Sequence, residues 1–133
     1  MWDARAHPPT VPEKRNTYPK SHRLGGRLQF AAVFDAKVKE SRGPLTIYSL
    51  PSELGHSRLG ISISRRVGTA VRRNRIKRLL REAFRLNQSD MARGYDLVIV
   101  VRPHETLPLA DYEKLLTALV QRSDAVWARR RRA

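Results

Sequence analysis

The chain has no cysteine, which excludes disulfides, thiolate metal sites and a cysteine nucleophile, and suits a reducing compartment. Its four histidines, His7, His22, His56 and His104, are scattered, and no two stand at the i, i+4 spacing of a helical metal site. Acids are scarce, 12 against 27 lysines and arginines, and no pair of them is placed to gather catalytic Mg2+. A glycine-rich phosphate loop and a nucleophile-elbow signature are also missing. A self-sufficient nuclease needs a carboxylate cluster or a histidine pair to activate water. This chain offers neither, so the expectation is a binding protein with no catalytic residue and no metal ligand of its own. No apolar run approaches the roughly 18 residues that a membrane-spanning helix needs. Residues 1–15 are polar and proline-rich, without the apolar segment of a secretory signal, and the expected compartment is the cytoplasm.

The shortage of acids leaves a formal net charge of +15. A chain this basic takes a polyanion as its default partner, nucleic acid first and an anionic membrane surface second. The membrane is the weaker reading, because the most basic segment carries a single aromatic, Phe84, among its apolar residues. A length of 133 residues suits one domain with a modest core. The expected organisation is a flexible, basic, proline-rich tail over 1–22, one nucleic-acid-binding domain over 23–128, and a basic tail over 129–133. Four of the eight prolines fall in the first segment, which has no periodicity and cannot bury enough apolar surface to offset the entropy of ordering. It is either a functionless extension or, through Lys14, Arg15, Lys20 and Arg23, a source of diffuse phosphate contacts.

The rest of the chain is organised around residues 58–85, RLGISISRRVGTAVRRNRIKRLLREAFR. Leu59, Ile61 and Ile63 alternate with Gly60, Ser62 and Ser64, which predicts a strand with one core face and one small, polar face. A face this small leaves a shallow trough. After Gly68 the period changes: Val71, Ile76, Leu79, Leu80, Ala83 and Phe84 recur at helical steps and form one apolar stripe. Thr69 is placed to cap this helix, and its arginine-rich last turn suits the helix dipole. The outer positions are Asn74, Arg78, Arg81 and Arg85, with Arg73 and Lys77 alongside. From residue 65 to 85 there are nine lysines or arginines and one acid, Glu82. Unpaired like charges repel one another, so the face makes most sense opposite a polyanion whose phosphates fit guanidinium forks.

Upstream, Phe30, Val33, Phe34 and Val38 share a face of a short helix over 28–38. The two phenylalanines are either core or an aromatic edge left open beside cations, the kind of surface on which unstacked bases pack. Residues 41–44 read as a turn, and 45–50 as a strand with Thr46 and Tyr48 on one face. The run YDLVIVVRP over 95–103 is apolar on both faces and belongs inside the sheet. From Asp111, Tyr112, Leu115, Leu116, Leu119, Val120, Val126 and Trp127 mark a last amphipathic helix, followed by a frayed basic run from Arg129 to Arg132. The order is helix, strand, strand, helix, strand, helix, with room for one short further strand: an α+β arrangement of helices packed on a small sheet.

The run SRRVGTAVRRNRIKRLLREAFR, preceded by RLGISI and followed by YDLVIVVRP, closely resembles the protein subunits of bacterial ribonuclease P. The hallmark of that family is an Arg-Asn-Arg segment, here Arg73-Asn74-Arg75. The resemblance spans residues 23–127 and includes an aromatic pair in the first helix, Phe30 and Phe34, and an aromatic in the next strand, Tyr48. Thr69 stands where Asn is more usual, Arg65-Arg66 where Lys is common, and Gly25-Gly26 weakens the capping signal before the first helix. The resemblance implies a two-layer α/β sandwich with a left-handed crossover through the basic helix. It implies that a large RNA with bound Mg2+ removes the 5′ leader of precursor tRNA, with no metal held by the protein. It assigns the leader to a cleft at Phe30, Phe34, Tyr48, Arg65 and Arg66. It assigns the catalytic RNA to Arg73, Asn74, Arg75, Lys77, Arg78 and Arg81. The partners are then ribonuclease P RNA and precursor tRNA, with no protein partner and no membrane.

Two other readings compete. Small basic α+β chains with polar tails are common among ribosomal RNA-binding proteins. A basic helix can also enter a DNA major groove, although no helix-turn precedes this one and no dimer-forming segment is evident.

Overall fold

Strict alternation in the sequence becomes a sheet with two different faces. The computed structural model describes residues 20–92 and 94–132. Along the chain it contains α1 (Arg27–Asp35), β1 (Lys39–Arg42), β2 (Leu45–Pro51), β3 (Arg58–Ile63), α2 (Ala70–Asn87), β4 (Tyr95–Val101) and α3 (Leu109–Arg132). The sheet order is β1-β2-β4-β3, antiparallel except for the parallel pair β3 and β4, which α2 connects. As its doubly apolar sequence requires, β4 lies inside the sheet.

Leu45 and Ile47 of β2, Leu59 of β3 and Leu97, Ile99 and Val101 of β4 point to one side. There they pack with Ile76, Leu80, Ala83 and Phe84 of α2 and with Tyr112, Leu116, Leu119 and Val120 of α3. Val98 points to the other side, where Leu24 and Val33 complete a smaller cluster flanked by Phe30, Phe34, Tyr48, Leu50 and Val100. The described residues thus form a four-stranded sheet with two long helices on one face and one short helix on the other.

Four boundaries differ from the sequence expectations. The turn expected over 41–44 is confined to Gly43, at φ 58°, and Pro44, while Lys39–Arg42 pairs with β2 as an edge strand. Three of its four side chains are exposed, so no apolar alternation announces it. Next, α1 stops at Asp35, and Val38 is buried not as a helical residue but by the turn leading into β1, its carbonyl accepting from Ser49 N at 3.1 Å. Val71 is 80% exposed, because the first turn of α2 overhangs the core and its buried stripe begins at Ile76. Finally, the frayed terminal run is helical: α3 continues through Arg132.

At the N-terminal end, residues 1–19 of the expected flexible tail, Lys14 and Arg15 among them, lie outside the described residues. Lys20–His22 forms a 3-10 turn, and Leu24 N donates to Leu59 O at 3.0 Å, which ties this segment to the edge of β3.

Candidate nucleic-acid interface

The cationic surface starts where β3 ends. A 3-10 turn, Arg65–Val67, leads to Gly68 at φ 151°, and the Thr69 hydroxyl then accepts a hydrogen bond from Arg72 N at 3.2 Å, capping α2 as its sequence indicated. Gly68 O also accepts from Arg73 Nε at 3.2 Å, so one cation is spent on fixing the helix entry. Acids neutralise two more: Glu105 pairs with Arg72 at 3.3 Å, and Glu82 takes two bonds from Arg85 at 2.9 and 2.5 Å. The hydrogen bonds from Arg85 hold the Glu82 carboxyl below its ordinary range. Among the described residues, Arg75, Lys77, Arg78 and Arg81 have no carboxylate partner. Asn74, Arg75 and Arg78 are exposed, and Arg73, Lys77 and Arg81 are half-buried along the flanks. The six residues expected to meet the catalytic RNA therefore share one helix, and none of their five cations has a carboxylate partner among the described residues.

The aromatic surface lies on the opposite face of the sheet. The rings of Phe30 and Phe34 are 6.5 Å apart, and Phe34 meets Tyr48 edge-on at 4.7 Å. All three are half-buried, so they are at once part of the smaller cluster and available to a ligand. Gly60 makes the arrangement possible: a Cβ there would stand 2.5 Å from Phe30 Cζ. The small face of β3 is thus covered at Gly60 by the Phe30 ring, while the paired Ser62 and Val100 beyond it are half-buried. Arg65 and Arg66 are exposed on the turn between β3 and the start of α2.

One residue joins the site that sequence reasoning missed. Lys39 sits opposite Tyr48 in the β1–β2 register and holds its Nζ 5.8 Å from the ring centroid. Only the cross-strand register reveals it, and β1 carries no apolar signal from which that register could be read.

Several carboxylates are engaged: Asp96 by Arg58 at 2.8 and 2.7 Å, Asp124 by the Tyr95 hydroxyl at 2.7 Å, Glu113 by Asn87 at 2.9 Å. Among the described residues no three acid, histidine or cysteine side chains form a metal-holding group, and no helix is long and apolar enough to cross a membrane.

The profile of the Ribonuclease P family matches residues 18–124. The ribonuclease P protein component of Methylococcus capsulatus is 41% identical over 97 residues, 72% of this chain and 75% of that protein. That of Brevibacillus brevis is 40% identical over 110 residues, 80% and 86% of the two chains. Among solved structures, the RNase P protein from Thermotoga maritima superposes with a TM-score of 0.69 at 30% identity, covering 75% of this chain and 96% of the other. The Staphylococcus aureus RNase P protein superposes with a TM-score of 0.68 at 27% identity, covering 77% and 94%. In sequence and in fold, the chain belongs to the ribonuclease P protein family.

Proposed function

We propose that this protein is the accessory RNA-binding subunit of a ribonucleoprotein endonuclease that works in the cytoplasm. A ribonuclease P RNA, with Mg2+ held by the RNA, removes the 5′ leader from precursor tRNA. The protein contributes two contacts. The α2 face of Arg73, Asn74, Arg75, Lys77, Arg78 and Arg81 binds the catalytic RNA, and the trough of Phe30, Phe34 and Tyr48, entered past Arg65 and Arg66, binds the leader. Lys39 adds a cation at the aromatic end of that trough.

The observation that carries this reading is the charge balance of α2: Arg75, Lys77, Arg78 and Arg81 stand on one helix with no carboxylate partner among the described residues. Guanidinium forks held on a rigid helix match phosphate oxygens and lose little entropy on binding. The half-buried aromatic edges suit the faces of unpaired bases, so the leader is bound as single strand with little dependence on its sequence. On this reading the protein supplies positioning and charge, and the chemistry falls to the RNA.

The test is reconstitution with a bacterial ribonuclease P RNA, following cleavage of a 5′-extended precursor tRNA at low Mg2+. Stimulated cleavage, with none by the protein alone, is the expected outcome. Cleavage by the protein alone, or no stimulation, would overturn the reading.

A further inference from the structure

The family match ends at residue 124, yet α3 runs on for two more turns and closes with Arg129, Arg130, Arg131 and Arg132. This extension is anchored. Trp127 Nε1 donates to the fully buried Ser49 Oγ of β2 at 3.0 Å, and the Arg130 guanidinium lies 5.2 Å from the centre of the Trp127 ring. Only Arg131 has an acid within reach, Asp124 at 3.9 Å; among the described residues Arg129, Arg130 and Arg132 have none. All four arginines are exposed. At about 100° per residue, four successive side chains spread charge around most of the helix, more than its negative end alone would call for.

Resting on the reading of the protein as a ribonuclease P subunit, we propose that the last turn of α3 is a second docking site for the phosphate backbone of the folded catalytic RNA, separate from α2. Position favours that RNA over the leader. The helix α3 lies on the α2 side of the sheet, with the aromatic trough on the other. Asn87 at the end of α2 touches Glu113 near the start of α3 at 2.9 Å, and from there to Arg130 the helix rises roughly 25 Å. Two cationic surfaces on separate helices of one layer, away from the aromatic trough, fit a large folded RNA better than a short single strand. A lipid surface fits poorly, because the large apolar side chain of this segment, Trp127, is committed to Ser49.

The test uses the full chain with Arg129, Arg130 and Arg132 changed together to Gln, and compares it with the same three changed to Lys. Binding to ribonuclease P RNA is titrated against salt, and binding of precursor tRNA is measured on the assembled holoenzyme. The Gln variant should bind the RNA about ten-fold or more weakly, with the log–log salt slope reduced by about 0.7–0.9 for each phosphate no longer neutralised. The Lys variant should keep the slope, and affinity for precursor tRNA should hold in both. Circular dichroism confirms that α3 is intact, and a chain ending at residue 128 repeats the measurement independently of the substitutions. An unchanged slope in both the Gln variant and the shortened chain overturns the proposal, and so does a loss confined to precursor tRNA. Changing Arg75 and Arg78 to Ala in parallel separates the two ideas: a slope that moves with α2 but not with α3 sinks this site alone.

Discussion

At Gly60 a hydrogen occupies the only space the Phe30 ring leaves, since a Cβ would approach Cζ to 2.5 Å and Cε1 to 2.9 Å. Gly60→Ala must therefore push Phe30 off the sheet, and overpacking of this kind costs about 1–3 kcal/mol. Urea unfolding should show that loss, together with weaker leader binding if Phe30 is, as proposed, a wall of the trough. The alternation in RLGISI revealed the small face of β3, but not what the small face accommodates, since the partner lies on a helix 30 residues earlier. A second residue prediction concerns acid. Burial first, and then the stacked ring of His56 at 4.3 Å, hold the His22 imidazole below its ordinary value, against a hydrogen bond with Gln88 that acts the other way. As pH falls below about 6.5, the unfolded chain takes this proton before the folded one does, so stability declines with pH. The decline runs down through the folded value and is absent above the unfolded one. A pH series of unfolding free energies should show it in the parent, and His22→Gln should flatten it.

Elements were legible where one face differs in character from the other. The stripe of α2 and the doubly apolar run of β4 each state their surroundings. By contrast β1, KESR, is an exposed edge with nothing to alternate, so both the strand and the place of Lys39 over Tyr48 emerge only from pairing with β2. The aromatics of α1 were ambiguous for a related reason: half-buried side chains carry the apolar spacing of a core and the chemistry of a site together. The start of α2 gives a prediction at this scale. Thr69→Ala removes the acceptor of Arg72 N and should cost about 1 kcal/mol, read as a lower unfolding midpoint. If the first turn of α2 also presents Arg73 and Asn74 to RNA, the same variant should lose RNA affinity beyond what its folded fraction explains.

Across the whole molecule, the sheet separates two kinds of chemistry. The α2 and α3 layer carries cations most of which have no acid partner among the described residues, while the α1 layer carries rings, and four strands of close-packed side chains stand between them. Phosphate binding and base stacking answer to different variables, the first to salt and the second to the presence of unpaired bases. Lesions on the two sides should therefore be separable in one assembled particle. Phe34→Ala should weaken precursor tRNA binding by about 1–3 kcal/mol only when the substrate has a leader long enough to reach the trough, and leave the affinity for the catalytic RNA unchanged. Changing Arg73, Arg75 and Arg78 together to Ala should do the reverse: weaker binding to the catalytic RNA and a flatter salt dependence, with the leader-length effect retained at saturating protein. Measuring both variants against matched substrates with and without a leader decides the matter. A Phe34→Ala loss that is equal with and without the leader would remove the trough from substrate binding. A leader effect that vanishes in the arginine variant would mean that the sheet couples the two surfaces it was expected to hold apart.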